Sequence, residues 1–459
     1  MQFVMMLALM SSASAGKKKA NSEPPRPTLE VAAAELAGRA LSSTAQMDDL
    51  VELCDDIGAR LSGSVELERA IAWSAEKMRS YGLANVRTEA VEVPHWERGK
   101  EEATLLLEPH RPLNIMTLGG SVPTPAEGIE APILVVRSFD ELEQRRSEVP
   151  GAIVVYNASF VTYGETVQYR TRGPSEAARL GAVAALVRSV GPASLDTPHT
   201  GVTRYEEGVS AIPAAAITIE TAEQLQRLQD RGQAPSIRLV LGASDKGTAE
   251  SANVIGEVTG SEHPDEIVVL ACHLDSWDVG QGAQDDGAGC MMALHAARLI
   301  SEYDTPPRRT IRVVLYTNEE NGMAGVRAYA EAHAGETHIA AIESDSGAGA
   351  PSGVRFDLRR DHDADATMNA LSAYGSPLAA IHAEGIRAGY SGADIGPLAE
   401  NGVPTFGIDH DTTEYFKIHH TDADTIDKID PAQFQYGLAT MTVWAWTLAE
   451  SGVPVVNSP

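Results

Sequence analysis

Acidic and histidine side chains are concentrated just after one predicted strand of this 459-residue chain. The apolar run Ile267–Leu270 is typical of a buried strand, and His273 and Asp275 follow it closely. A Gly-rich loop comes next, and Asp285 and Asp286 stand where an apolar helical pattern begins. His and Asp are metal ligands. Their placement at the carboxyl end of a strand and at the start of a helix predicts a site at the edge of a sheet.

Three later segments repeat this pattern of ligand-type side chains near predicted strands. They contain Glu319 and Glu320, then Asp345, and finally the adjacent pair His419 and His420. Buried carboxylates are costly unless they are paired or coordinated. A pair of divalent cations would neutralise them, and two His with three carboxylates, one of them shared, suit a two-zinc site. The alternative is a polar loop cluster at the sheet edge, with exposed acids and no metal.

The strands that carry these residues alternate with predicted helices. The strands are predicted at 267–271, 311–317, 339–342 and 405–408, and the helices at 287–302, 323–333, 364–373 and 431–450. This alternation predicts an α/β fold, with a mostly parallel mixed sheet covered by helices on both faces. We therefore expect the ligand-type residues to converge on one edge of that sheet.

The middle of the chain differs in composition from its flanks. Residues 119–128 are rich in Gly and Pro, which indicates a domain boundary. Strand and helix patterns follow without a cluster of metal ligands. We therefore predict an inserted domain at 119–247 and a catalytic domain made of 29–118 and 248–459.

Charge and the terminal sequence limit the partners of the chain. The net charge is −28, and nucleic-acid binding requires a basic face, so a nucleic-acid partner is excluded. Residues 1–15 have an apolar core followed by Ala-Ser-Ala, the pattern of a secretory signal, and residues 16–28 suit a flexible leader. Elsewhere no apolar run is long enough to predict a membrane span. We expect a secreted or periplasmic protein.

The order of the motifs resembles the M28 family of co-catalytic zinc peptidases. These motifs are His-x-Asp at 273–275, Asp-Asp-Gly-x-Gly at 285–289, Glu-Glu at 319–320, Ser-Asp at 344–345 and His-Thr-x-x-Asp-Thr at 420–425. The resemblance extends over nearly the whole mature chain, including the segments 166–171, 198–201 and 429–431. It implies a zinc exopeptidase fold of the phosphorylase/hydrolase-like type, with an inserted β-rich domain similar to a protease-associated (PA) domain.

Residue by residue, the resemblance implies a site for two Zn²⁺ ions. His273 and Asp345 would bind one zinc, Glu320 and His420 would bind the other, and Asp285 would bridge the two. Zinc in such a site lowers the pKa of a bound water, so that hydroxide is available near neutral pH. It also polarises the scissile carbonyl and bears the developing oxyanion charge.

The resemblance also assigns roles to three side chains beside the ligands. Glu319 would be the general base that takes a proton from water and passes it to the leaving amine. Asp275 would support His273 by accepting its other ring N–H. His419 stands where many relatives have a Tyr that donates to the oxyanion. It takes either that donor role or a supporting role behind the ligands.

The leading functional prediction is an exopeptidase that acts on short peptides, because the most similar branch of the family hydrolyses dipeptides with free termini. One alternative is an aminopeptidase acting on longer peptides. Another is a non-catalytic binding or receptor-like protein that keeps the fold and the PA-like domain. All five ligand positions and Glu319 are intact, which favours the enzyme. The resemblance further implies a homodimer, with the PA-like domain shaping or covering the active site.

Overall fold

The computed structural model describes residues 26–193, 195–233, 235–358 and 364–454, so the predicted signal and most of the leader lie outside the described residues. Within these ranges the strands form two eight-stranded sheets. The strands are β1 (Ala84–Glu97), β2 (Glu101–Leu106), β3 (Arg111–Leu113), β4 (Ile115–Thr117), β5 (Ile129–Val136), β6 (Ile153–Tyr156), β7 (Ala184–Arg188), β8 (Ala214–Ile217), β9 (Ser236–Leu241), β10 (Ser244–Val258), β11 (His263–His273), β12 (Arg309–Tyr316), β13 (Thr337–Glu343), β14 (Pro351–Asp357), β15 (Gly385–Ala388) and β16 (Thr405–His410).

The helices surround these sheets. They are α1 (Leu29–Ser42), α2 (Ala45–Glu52), α3 (Val65–Ser80), α4 (Phe139–Gln144), α5 (Tyr163–Thr166), α6 (Gln168–Thr171), α7 (Gly173–Arg179), α8 (Ile219–Asp230), α9 (Ala288–Ser301), α10 (Ala324–Ala332), α11 (Ala364–Leu371), α12 (Gly396–Glu400), α13 (Tyr415–Ile418) and α14 (Pro431–Ser451). In the described part of the chain, none of them combines the length and apolar character needed to cross a bilayer.

The first sheet has the order β1-β10-β12-β11-β13-β16-β14-β15. Its central strands β12, β11, β13 and β16 are parallel, and antiparallel pairs flank them. Side chains alternate across β11: Val268 and Leu270 pack with helices α1, α9 and α14, whereas Ile267 and Val269 pack with α10 and α12. The predicted mixed α/β sheet with helices on both faces is confirmed.

The second sheet consists of β2 to β9, which lie in the chain between two strands of the first sheet, and we call this part of the chain the inserted domain. Its order is β3-β2-β9-β5-β6-β7-β8-β4, with α8 on one face and α4 and α7 on the other. Because β2 pairs with β9 along its whole length, the chain enters this sheet between Glu97 and Glu101 and leaves it between Leu241 and Ser244. The predicted boundary at 119 is therefore wrong, since β2, β3 and β4 already belong to the insert.

Gly119, the first residue of the Gly- and Pro-rich segment that suggested this boundary, is required by a packing contact. A Cβ on Gly119 would lie 2.1 Å from the indole of Trp277, so only glycine fits there. Trp277 belongs to a buried cluster with Leu61, Trp96 and Ala243 at the junction of the two sheets. The antiparallel ribbon of β1 and β10 leads into this junction. The inserted domain therefore packs against the loops at the carboxyl ends of the central strands.

Candidate metal centre

Two groups of possible metal ligands meet at the carboxyl ends of the central strands. In the first, His273 Nε2 lies 3.2 Å from Asp285 Oδ1 and 3.4 Å from Asp345 Oδ1. In the second, His420 Nε2 lies 3.2 Å from Asp285 Oδ2 and 3.1 Å from Glu320 Oε2. Each Asp285 oxygen thus faces a different histidine, and the predicted ligands form two groups that share this carboxylate.

The geometry of each group fits a tetrahedral cation. Two ligand atoms about 2.1 Å from such an ion are about 3.4 Å apart. The nitrogen–oxygen separations in both groups are close to that value, and all ligand atoms of a group lie within 4.8 Å of one another. Imidazole nitrogen and carboxylate oxygen together suit zinc among the common divalent metals. The residues present therefore fit a zinc ion in each group.

The electrostatics of the ligand set also favour bound cations. Burial raises the pKa of Glu320 to about 6 and moves that of Asp345 above its usual range. Burial alone would lower the pKa of His273, but the carboxylates of Asp285 and Asp345 raise it well above normal. A cation in each group would stabilise ionised carboxylates and neutral imidazole, which are the forms that bind metal.

The loop that carries Asp285 is fixed by two buried side chains that sequence reasoning did not single out for this role. Asp424 accepts hydrogen bonds from the backbone N–H groups of Gln284 (2.7 Å) and Asp285 (3.2 Å). Arg60, which is fully buried, donates to the carbonyls of the loop at Leu274, Gln281 and Gly282. Asp424 belongs to the motif at 420–425, but Arg60 lies far from every motif and its side chain bonds only backbone carbonyls, so local sequence carries no signal of its role.

Asp275 contacts His273 through its backbone oxygen, and its carboxylate has other partners. The ring Nδ1 of His273 lies 2.9 Å from the backbone oxygen of Asp275 but 4.0 Å from its carboxylate. The carboxylate instead accepts the backbone N–H groups of Glu319 at 3.0 Å and Glu320 at 3.3 Å. The contact expected between Asp275 and the other ring N–H of His273 is thus made by the Asp275 carbonyl. The backbone N–H groups of Glu319 and Glu320, which follow β12, occupy the Asp275 carboxylate. The Asp275 carbonyl accepts the imidazole N–H of His273.

Glu319 lies beside both groups without belonging to either. It lines the cleft together with Glu320 and Asp345, and its backbone is held by Asp275. Burial, together with repulsion from Asp345 and Glu320, raises the pKa of Glu319 to about 8. A carboxylate that is close to the ligands, raised in pKa and held by a rigid turn has the properties of a general base.

His419 lies directly beside His420 in an aromatic pocket. The two imidazole centroids are 4.4 Å apart, and Tyr163, Tyr415 and Phe416 pack around the His419 ring. Burial lowers the pKa of His419 well below its usual value, so the ring is neutral. Neither of its ring nitrogens has a hydrogen-bond partner in the described part of the chain. The neutral ring thus has a buried N–H without a partner, and the residue lines the cleft.

A third group of ligand-type atoms, Cys272, Asp286 and Cys290, lies below the site. The Cys290 thiol donates to the carbonyl of His273 at 3.2 Å. Burial raises the pKa of the Cys272 thiol well above its usual value, and the same effect raises that of Asp286. The Asp286 carboxylate accepts the N–H of Gly289 at 3.2 Å, as a helix cap does. The Cys290 thiol and the Asp286 carboxyl group thus have backbone partners, and we assign this group to packing and helix capping.

The site opens into a cleft of about 500 Å³ between the two sheets. The floor carries both ligand groups, and Tyr163, Arg170, Val202 and Arg204 of the inserted domain form part of the wall. Arg170 and Thr200 of that domain also contact the back of His420. Sequence reasoning gave neither residue a role, although the segments 166–171 and 198–201 both carried the family resemblance.

A helix-covered α/β sheet whose strand ends hold two His–carboxylate groups defines a metal-dependent hydrolase. Residues 253–444 match the model of peptidase family M28. Carboxypeptidase Q from Bos taurus is 40% identical over 403 residues, which cover 87% of this chain and 84% of that protein. The chain therefore belongs to peptidase family M28 and is a metallo-exopeptidase. The resemblance noted from the sequence is confirmed.

Solved structures agree with this assignment. A peptidase M28 precursor from Shewanella amazonensis SB2B is 37% identical, with a TM-score of 0.89 over 94% of this chain and 98% of that chain. BSAP, a zinc aminopeptidase from Bacillus subtilis, is 21% identical, with a TM-score of 0.65 over 90% of this chain and 97% of that chain. The second likeness shows the shared fold.

Proposed function

We propose that this chain is a co-catalytic di-zinc exopeptidase that hydrolyses dipeptides or other short peptides. The observation that carries the proposal is the Asp285 carboxylate, which faces His273 with one oxygen and His420 with the other. His273 and Asp345 would hold one zinc, and Glu320 and His420 the other. When bound, a pair of zinc ions supplies an activated water and polarises the scissile carbonyl.

The protein side chains then manage the proton and the developing charge. Glu319 takes the proton from the attacking water and delivers it to the leaving amine. Asp275 contributes by holding the backbone of Glu319 and Glu320, which fixes the distance between the base and a ligand. Asp275 is thus a positioning residue, and its support of His273 comes from its carbonyl.

We propose that His419 donates its free ring N–H to the oxyanion. Replacing His419 by Phe keeps the aromatic packing but removes the donor. The turnover number should fall by about 10²- to 10³-fold, as when other oxyanion donors are removed, while the metal content stays unchanged. Steady-state kinetics with parallel metal analysis measures both quantities. An unchanged turnover number would leave His419 with a supporting role only.

Short substrates with a free carboxylate are favoured by the wall of the cleft. Arg204 is exposed there, and its guanidinium has no ion-pair partner among the described residues. A guanidinium binds a carboxylate in a bidentate manner, so we propose that Arg204 receives the substrate carboxylate. The acidic ligands on the floor repel that carboxylate until cations neutralise them, so a basic residue on the wall favours correct orientation.

The test is a panel of free, N-blocked and C-amidated dipeptides and tripeptides, assayed with zinc and after chelation. We expect free dipeptides to be cleaved best, and chelation to abolish activity that zinc then restores. Activity that persists after complete removal of metal contradicts the metal mechanism. Preferential cleavage of longer peptides would support the alternative, an aminopeptidase, and no cleavage by the zinc-loaded protein would support a binding or receptor-like role.

The same panel tests Arg204. Arg204→Ala should raise KM for free dipeptides and leave the C-amidated series unchanged, because only the former present a carboxylate. Arg227→Ala is the matched control, since Arg227 is exposed on α8 of the same domain and does not line the cleft. Equal losses for free and amidated peptides would exclude Arg204 as the carboxylate site.

The proposal also includes three further properties: export, a PA-like inserted domain and a homodimer. The apolar core and Ala-Ser-Ala of residues 1–15 support export, so the mature protein should be recovered from the medium or the periplasm. The family resemblance supports a PA-like character for the inserted domain and a homodimer. Cell fractionation tests the first property, and light scattering during size-exclusion chromatography tests the dimer; a purely cytoplasmic or monomeric protein would contradict them.

A further inference from the structure

The inserted domain contacts His420 on the side of the ring that faces away from Asp285 and Glu320. The backbone N–H of Thr200 donates to the carbonyl of His420 at 2.9 Å. The carbonyl oxygen of Thr200 lies 3.3 Å from Nδ1 of His420, the ring nitrogen that faces away from Asp285 and Glu320. Thr200 therefore contacts both the backbone and the imidazole of His420, although the two residues are 220 positions apart.

The Thr200 carbonyl is itself held by a buried arginine. Arg170 Nη1 donates to this carbonyl at 2.9 Å, and its Nη2 donates to the hydroxyl of Tyr163 at 2.9 Å. Arg170 is only 3% exposed, and within the described ranges its guanidinium contacts a carbonyl, a hydroxyl and an imidazole but no carboxylate. A buried guanidinium without an anionic partner is costly. The contacts of Arg170 with the Thr200 carbonyl and the Tyr163 hydroxyl therefore indicate that this arginine holds the Thr200 carbonyl in place.

The backbone around Thr200 is shaped to admit this arginine. Gly201 has a φ of +133°, and a Cβ there would lie 2.2 Å from Cζ of Arg170. The guanidinium therefore packs directly on the glycine, where any side chain would displace it. On its other side, the Thr200 hydroxyl donates to the carbonyl of Thr117 at 3.0 Å. Thr200 is thus held by Arg170 and Thr117 as well as by its contacts with His420.

The chemistry of a histidine ligand explains what this arrangement achieves. A neutral imidazole that binds metal through Nε2 carries its proton on Nδ1, and an acceptor on that side fixes the tautomer and the ring orientation. The Thr200 carbonyl is such an acceptor. Arg170 Nη1 also lies 3.3 Å from Nδ1 of His420, but a guanidinium only donates, so it cannot take that proton. Its contribution is to orient and polarise the carbonyl.

We propose that Arg170 and Thr200 of the inserted domain position His420, so that tight binding of the ion held by Glu320 and His420 depends on these two residues. This inference rests on the proposed two-metal site and goes beyond it. The other group has no such dependence, because Nδ1 of His273 donates to the carbonyl of Asp275 within the first domain. Arg170 is therefore a positioning residue that acts on one ion and not on the other.

The experiment measures metal binding without reference to activity. Full-length wild type and Arg170→Met are dialysed against zinc buffers of graded free concentration, and bound zinc per chain is determined by elemental analysis. Loss of an outer partner of a ligand costs about 10- to 100-fold in metal affinity. We expect that loss in one of the two binding steps of Arg170→Met and no change in the other. Arg170→Lys, which keeps a donor, should recover part of the loss.

Arg172→Met is the matched control. Arg172 lies next to α6, is exposed and pairs with Glu176 on the surface, so its zinc isotherm should match the wild type. Gly201→Ala provides an independent variant, because it displaces Arg170 without removing it, and it should show the same selective loss. It also replaces Arg170→Met if that variant fails to fold by circular dichroism.

The outcomes separate the two proposals. A wild-type protein that binds fewer than two zinc ions contradicts the proposed function itself. If the wild type binds two ions, and both Arg170→Met and Gly201→Ala keep both affinities or lose both equally, the two-metal site stands and the role of Arg170 is excluded. Selective weakening of one step, partly recovered in Arg170→Lys, confirms that the inserted domain contributes to one half of the metal centre.

Discussion

Glu319→Gln should lower the turnover number by about 10²- to 10⁴-fold, the range in which a positioned general base contributes, and should leave both metal groups filled. Gln has the shape of Glu but cannot accept a proton from water. The backbone N–H of Glu319 would still donate to Asp275, so the turn that presents Glu320 should be preserved. Steady-state kinetics on a free dipeptide, with zinc analysis of the same preparation, measures both effects.

The control is Glu331→Gln, because Glu331 is exposed on α10 away from the cleft. Its turnover number should equal that of the wild type. A Glu319→Gln enzyme with full turnover and full metal content would falsify the assignment of the base. A variant that lost turnover together with metal would instead show that Glu319 acts as a ligand.

The pH profile gives a second check on the same residue. Burial and neighbouring acids raise the pKa of Glu319 to about 8 in the absence of cations, and bound cations favour its ionised form. The base works when ionised, so activity should rise with pH through a midpoint below that value. This acidic limb should be absent from the residual activity of Glu319→Gln, because Gln does not titrate.

Asp285→Asn should empty both metal groups, the largest effect on metal content expected for a single substitution. Each oxygen of Asp285 faces a different histidine, and an amide offers an oxygen to one group and an NH₂ to the other. Removing a ligand and its charge should exceed the about 10- to 100-fold loss that follows when an outer partner is removed. Bound zinc should approach zero at free concentrations that saturate the wild type, and activity should disappear with it.

Asp286→Asn is the matched control one residue away. The Asp286 side chain accepts the N–H of Gly289, and an amide oxygen can accept the same bond. This variant should retain its zinc and most of its activity. If Asp285→Asn kept both ions, or if Asp286→Asn lost them, the division of roles between the two neighbours would be wrong.

The positions of three candidate metal ligands could be predicted from local sequence because these residues follow strands. Apolar runs place β11, β12 and β13 in a parallel sheet, and the carboxyl ends of parallel strands meet at one edge. His273, Glu320 and Asp345 each come at or shortly after such an end. Their convergence therefore required only the fold class, and the cost of burying several acids pointed to cations.

Other features were decided by contacts that no local pattern records. The boundary of the insert was misplaced because Gly119 reflects a packing contact with Trp277, whereas the pairing of β2 with β9 defines the sheet. Asp275 accepts the ring N–H of His273 with its carbonyl, because its carboxylate accepts two backbone N–H groups from a distant turn. Both depend on backbone atoms, which are the same in every residue and leave no trace in composition.

The sequence by itself thus determined the α/β class, the ligand types and the family, since these depend on hydrophobic period and on side-chain chemistry at strand ends. Only the tertiary structure placed Arg170 and Thr200 of the inserted domain behind His420. That contact joins segments more than 200 positions apart through a main-chain carbonyl. Its existence depends on how the two sheets pack together, and the period or spacing of residues within one segment does not encode that packing.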